Sequence, residues 1–261
     1  MGMEKSSSLL LLSGGLLIGY SLKSYLEKRS GKKKILCGKD KLKLEYFNIA
    51  GVAEKVRLAL VVADIPFEDV RVAFPDWAER KKTAKYGQLP IMTLPSGEEI
   101  YQSNAMLRMV GSLGDESLYP TDVRKRLEID EVLGLVDDLS RDWSPSIYIA
   151  MRPEKFGYVE DFTADKKEEL TKMLREKFLK ESLPTFMGYF KDHIEKSNNK
   201  FLCGDKLTIA DLSALHTIMY FKKGIADHVP KDSLDPFPVV TAWIDRVMAV
   251  PKIAEYYAEK K

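Results

Sequence analysis

A tyrosine, Tyr46, stands near the end of a short alternating stretch, Lys41 to Phe47 (KLKLEYF). A phenol placed there can donate a hydrogen bond to an anion. Gln102 and Ser103 open a segment with helical periodicity that runs to Leu113. Helix starts carry unpaired N–H groups and partial positive charge, so a carboxylate binds there readily. Trp77 and Lys81 lie four apart, one helical turn, and can face one ligand. Each residue also has a plainer reading. Tyr46 could be a packing aromatic, Ser103 an ordinary helix cap, and Lys81 a solvated lysine beside Lys82 and Lys85.

The elements that must position these residues follow from hydrophobic spacing. Lys41–Phe47 alternates as a half-buried strand does. After a turn at Asn48–Gly51, apolar residues recur at Val52, Val56, Ala59, Leu60 and Ala63, a helical period. Pro66 follows, and Glu68–Phe74 reads as a second strand, which makes a βαβ unit. A short polar helix near Asp76–Lys85 leads to Gly87-Gln88-Leu89-Pro90 and an apolar strand; proline belongs at a strand's first position or on an edge. Pro95–Gly97 turns into Glu98–Tyr101, a hairpin. The order βαβαββα predicts a compact α/β domain over residues 39–116.

From Thr121 the pattern is helical with few strand signals, which predicts an all-α domain over 121–261. Leu127–Ile149 and Lys166–Ile194 are long periodic segments, with Pro184 a candidate kink in the second. Thr208-Ile209-Ala210-Asp211 matches a capping box with Asp in place of Glu. Two last helices are predicted over Pro236–Val250 and Lys252–Tyr257.

Composition narrows the function classes. Apolar residues are 45% and charged residues 31% of the 261, as in ordinary globular chains. The two cysteines, Cys37 and Cys203, form no CxxC and no Cys/His cluster, which argues against a disulfide framework or a zinc site. Residues 1–43 carry ten Lys/Arg against three Asp/Glu, and the other 218 residues 31 against 36. The basic charge therefore belongs to the leader, and no basic, aromatic-interleaved face points to nucleic acid. Ser6–Leu22 is an uncharged apolar run of 17 residues, roughly 25 Å as a helix, near the lower limit for a bilayer. The basic flank after it predicts a signal anchor over 1–38 with the folded body in the cytosol. Met1-Gly2 through Ser6 also fits an N-myristoylation pattern.

Four segments together resemble the cytosolic glutathione transferases, the sigma class most closely. They are Leu44–Asn48 with Gly51, Glu54 and Arg57; Asp76-Trp77 with Lys81; Gly87-Gln88-Leu89-Pro90; and Tyr101-Gln102-Ser103-Asn104-Ala105. The resemblance covers about Lys41 to the C-terminus. It implies a glutathione transferase fold, with a thioredoxin-like first domain, a cis bond before Pro90 and a helical second domain. It also implies glutathione as co-substrate, a small hydrophobic electrophile as partner substrate, and a homodimer.

The resemblance assigns the residues roles. Tyr46 donates to the glutathione sulfur and keeps it a thiolate. A free thiol has a pKa of about 8.5, and lowering it two units needs roughly 2.7 kcal/mol. One charge-assisted hydrogen bond contributes about 1.5–3 kcal/mol, so the phenol is nearly sufficient. Gln102 and Ser103 receive the γ-glutamyl carboxylate. Leu89, before Pro90, pairs its backbone with the cysteinyl unit, and Gln88 offers its amide. Trp77 and Lys81 hold the glycyl end. Asp138, in Val136-Asp137-Asp138, reaches the glutathione amine from the partner subunit. Phe47, Trp143 and Tyr148 would line the electrophile pocket together with Tyr46. Thr208 and Asp211 serve folding. One departure stands out: Val52 occupies a position where sigma members often carry an arginine that stabilises the thiolate. The competing function is a non-catalytic binding or assembly module on a membrane.

Overall fold

The computed structural model describes residues 35–36, 41–158, 162–222 and 224–259. The first part of the chain runs β1 (Leu42–Phe47), a 3-10 turn (Gly51–Ala53), α1 (Glu54–Val62), β2 (Phe67–Val72), α2 (Phe74–Thr83), β3 (Ile91–Thr93), β4 (Glu99–Tyr101) and α3 (Ser103–Leu113). This is the βαβαββα order of a thioredoxin-like domain. The helices after it are α4 (Val123–Met151), α5 (Ala164–Lys177), α6 (Leu183–Lys196), α7 (Ile209–Lys222), α8 (Pro238–Met248) and α9 (Pro251–Ala258). Two compact units emerge. Of the described residues, one takes those up to Tyr46 together with Pro66–Tyr101, and the other takes Phe47–Ile65 and those from Gln102 on.

In the first unit the four strands form one mixed sheet in the order β2-β1-β3-β4. β1 pairs antiparallel with β3, Lys43 to Thr93, Leu44 to Met92 and Glu45 to Ile91. β3 pairs antiparallel with β4 through Ile91 and Tyr101. The alternation of β1 sets its faces: Leu42, Leu44 and Tyr46 are buried while Lys43, Glu45 and Phe47 are partly open. α2 is different, because none of its residues is buried. Polar contacts hold it, with Arg80 donating to both oxygens of Glu45 (3.0 and 3.2 Å) and to Glu99.

The second unit is helical. α1 packs on α3, α7 and α9, and α4 packs on α5 and α7. Gly111 of α3 permits a close approach: a Cβ there would lie 2.7 Å from Ile209 and 2.9 Å from Tyr119. α4 continues through Pro145. That proline cannot donate to the Arg141 carbonyl, and the Ser144 hydroxyl donates to it at 2.9 Å instead. The cap at the start of α7 forms, with Thr208 Oγ1 accepting from the Ala210 N–H at 3.3 Å. Asp211 is wholly buried and accepts from Leu202 N–H, Thr208 N–H, the Thr208 hydroxyl and Trp243 Nε1, all within 2.9–3.0 Å. Burial pushes the Asp211 pKa up, and these donors pull against it.

Three expectations change. The break in Lys166–Ile194 is a π turn at Phe178–Ser182, just ahead of Pro184. The proline lacks an N–H for the ladder, so the register slips one residue upstream of it. Ser103 is the first residue of α3 and not its cap; the cap position falls on Gln102, which makes no side-chain cap bond. The membrane-anchored placement is corrected as well. Among the described residues no helix is long and apolar enough to cross a membrane, and Ser6–Leu22 lies outside them.

Candidate functional site

Tyr46 is 9% exposed, one step beyond the Glu45–Ile91 pair. Continuing that antiparallel register places it level with Pro90. The Leu89–Pro90 bond is cis. Pro90 is buried, Leu89 half-buried and Gln88 exposed, so this turn grades from core to solvent beside the end of β1. Gly87 adopts φ +59, and its bare Cα lets the stem of Lys81 approach to 3.4 Å of where a Cβ would sit. Lys81 is therefore drawn to the Gly87–Gln88 turn, with its stem packed and its residue exposed to solvent. Trp77, one turn earlier on α2, is half-buried. Tyr46, Trp77, Lys81, Gln88, Leu89 and Pro90 thus all belong to the sheet unit.

Arg80 links the elements that carry Tyr46, Trp77 and Lys81. It ties α2 to β1 through Glu45, the neighbour of Tyr46, and to β4 through Glu99. The Glu45 bonds hold the Arg80 pKa above its ordinary value. Glu99 also accepts from the Tyr101 hydroxyl, and that bond, with Arg80, holds its carboxyl below the usual range. Sequence reasoning missed Arg80, Glu45 and Glu99 as a set. The one signal was an arginine between Trp77 and Lys81, on the side of α2 away from neither.

In the helical unit Gln102 has φ +71 and ψ 110, a conformation uncommon outside glycine. Such outliers concentrate at ligand sites. Gln102 is exposed and Ser103 half-buried, and the first N–H groups of α3 have no side-chain cap. Asn104 follows, and its amide donates to Asp137 of α4 at 2.8 Å. Asp137 is thereby engaged within its own chain, whereas Asp138 is exposed and, among the described residues, pairs with Arg141 at 2.7 Å. Arg57, fully buried, donates to the carbonyls of Ile49 and Ala50 and to Glu54, and so fixes the loop after β1. Val52 in that loop is 45% exposed.

Trp143 and Tyr148 are not brought together. Five residues apart on a helix, they point about 140° apart. Trp143 is 5% exposed and packs on Phe178, Tyr220 and Phe221 at 4.9–5.7 Å between centroids. Tyr148 is 43% exposed with Arg152 over its ring. Phe47 is half-buried. Cys203 donates weakly to the Glu128 carbonyl, and burial pushes its thiol pKa well up, which disfavours the thiolate. A shallow groove lined by Met173 and by Lys and Glu stems of α5 and the π turn carries none of these residues. Among the described residues no His/Cys/Asp/Glu group could hold a metal.

Residues 42–111 match the N-terminal domain of glutathione S-transferase, and residues 156–260 match its C-terminal domain. Glutathione S-transferase P 1 of Xenopus laevis is 32% identical over 220 residues, 82% of this chain and 90% of that protein. The chain belongs to the glutathione S-transferase family. The class-mu 28 kDa glutathione S-transferase of Schistosoma bovis is 27% identical, over 85% of this chain and 96% of its own. The solved structure of prostaglandin synthase D of Nilaparvata lugens matches with TM-score 0.69 and 26% identity, over 85% of this chain and 99% of that one. Members of the family use glutathione as co-substrate. A cofactor of that kind needs donors for two carboxylates and one sulfur, and the phenol, the cation at Lys81 and the open α3 N-terminus are donors of those types.

Proposed function

We propose that this protein conjugates glutathione to small hydrophobic electrophiles, with Tyr46 donating its phenolic hydrogen to the thiolate. The register that sets Tyr46 level with Pro90, beside the Gln88–Leu89 turn, carries the reading. In this reading Leu89 pairs with the cysteinyl backbone and Gln88 with a neighbouring polar group. Trp77 and Lys81 take the glycyl carboxylate, and Gln102 with Ser103 takes the γ-glutamyl carboxylate at the start of α3. Phe47 and Tyr148 offer aromatic surface to the electrophile; Trp143 serves the core of the helical unit.

The homodimer and the partner's use of Asp138 are part of the same proposal. Val123 and Leu127 are 79% and 64% exposed on the first turns of α4, and Asp138 lies three turns along the same face. Exposed apolar residues on the face that also carries an exposed acid suit a second copy whose glutathione amine needs a counter-charge. The sigma class is the finer part of the reading, drawn from the motifs; class P and class mu relatives match as well. Val52 supplies no charge to the sulfur, so activation rests on Tyr46. For that reason we place conjugation ahead of isomerisation or peroxide reduction of lipid-derived substrates.

The test is retention on glutathione resin and the rate of chlorodinitrobenzene conjugation by the full chain and by Tyr46→Phe. Retention of both, with the rate lost in Tyr46→Phe, is expected. Retention with equal background rates in both would end the enzyme reading.

A further inference from the structure

The helical unit buries a lysine that the chemistry described so far does not use. Lys55, on the first turn of α1, is 6% exposed. Its ammonium donates to Asn104 Oδ1 at 2.5 Å, and the Asn104 amide donates onward to Asp137 Oδ2 at 2.8 Å. Three residues from α1, α3 and α4 thus form one line of polar contacts. Asn104 is the middle member and sits directly after Gln102-Ser103 at the uncapped start of α3.

Burying a lysine costs free energy unless it is paired. An aliphatic side chain would fill this position without that cost, so packing does not account for it. The orientation of Asn104 is also at stake. With a cation on one side and a carboxylate on the other, its oxygen must face Lys55 and its NH2 must face Asp137. The line also brings a positive charge beside the first turn of α3, where the backbone already favours anions.

We propose that Lys55 is a positioning residue for glutathione, whose ammonium orients Asn104 and supplies positive charge beside the α3 N-terminus that receives the γ-glutamyl carboxylate. This rests on the glutathione reading above. It gives the binding of that carboxylate a pH dependence. Burial lowers the Lys55 pKa to about 8, with Asp137 raising it and Arg108 lowering it. The other charged groups around α1 are engaged elsewhere. Arg108 of α3 pairs with Asp130, and Glu54 pairs with Arg57 and faces Tyr257 of α9. Lys252 of α9 bonds Val62 and Asp64 at the far end of α1. On α7, Asp211 is enclosed by its donors, Lys222 bonds Asp245, and His216 and Tyr220 are the half-buried titratable groups.

The experiment is calorimetric titration of the full chain with S-methylglutathione, which keeps the γ-glutamyl carboxylate and has no thiol to ionise. Wild type, Lys55→Met, Lys55→Arg and Asp137→Asn are compared in half-unit steps from pH 6.5 to pH 9.5. Ligand ionisation is common to all four and cancels in the ratios. At pH 6.5 Lys55→Met should bind about fivefold more weakly than wild type. At pH 9.5, with Lys55 neutral, the two should agree within about twofold. Lys55→Arg should hold its affinity at both pH values. Asp137→Asn should lose affinity at a lower pH than wild type, because the ammonium has lost its counter-charge, a shift that a merely structural role would not produce. Equal affinity of wild type and Lys55→Met at pH 6.5, or a deficit of the same size at both pH values, overturns the proposal. No binding by wild type at either pH overturns the glutathione reading itself, and this inference with it.

Discussion

Two polar networks in this molecule use the same chemistry under different burial. In the helical unit, Asp211 is fully enclosed and bound by Leu202, Thr208 and Trp243. In the sheet unit, Arg80 holds Glu45 and Glu99 with side chains that remain 17–34% exposed. Enclosure makes the first network expensive to break, because each stranded donor loses both its partner and water. Access to water makes the second inexpensive to break, so its value lies in where it puts α2 and not in how much it stabilises. Lys55 stands between the two: enclosed like Asp211, yet joined to the start of α3, where a ligand is expected.

The largest effect should come from the enclosed network. Asp211→Ala strands three residues' donors and should cost roughly 3–5 kcal/mol, read as a fall in the urea midpoint. If it costs no more than Arg80→Ala, the contrast between the networks fails. Lys55 comes next, through pH. Its folded pKa of about 8 lies below the usual 10.5, so the unfolded chain binds more protons between those values. Stability therefore rises as pH climbs from about 8 to about 10.5, by up to roughly 3 kcal/mol, and the rise should vanish in Lys55→Met.

Tyr46→Phe should lower kcat/KM for conjugation by about 10- to 100-fold, the equivalent of one charge-assisted hydrogen bond, without a matching loss of stability. Arg80→Ala should change stability by less than about 1 kcal/mol. It should nonetheless raise the KM for glutathione, since Trp77 and Lys81 lose their anchor to β1; an unchanged KM would deny the network its positioning role. The smallest effect concerns Cys203, whose raised pKa predicts negligible labelling by a disulfide reagent at pH 8 until urea unfolds the helical unit.

Much of this was legible along the chain. The strand at Lys41–Phe47 is observed as Leu42–Phe47, and the helix at Ser103–Leu113 has the expected limits. Both signals are local: alternation with period two, and apolar residues at helical spacing. The capping box at Thr208–Asp211 was legible for the same reason, though its tie to Trp243, 32 positions on, was not. The π turn before Pro184 was placed only roughly, because a proline marks where a ladder must break and not how the chain absorbs the break. Trp143 was assigned to a pocket by resemblance; its aromatic neighbours come from α7 and the π turn, which no local pattern foretells.

From its residues alone the chain determined the order of its elements and the face on which Tyr46 lies, because backbone period and side-chain alternation are properties of neighbours in sequence. What Lys55 is, only the folded chain decided. In sequence it is one more lysine, between Glu54 and Val56. Its ammonium is driven toward neutrality by loss of water and partly restored by Asp137, 82 positions away. Desolvation is set by whatever closes around a group, and that is known only once α1, α3 and α4 have met.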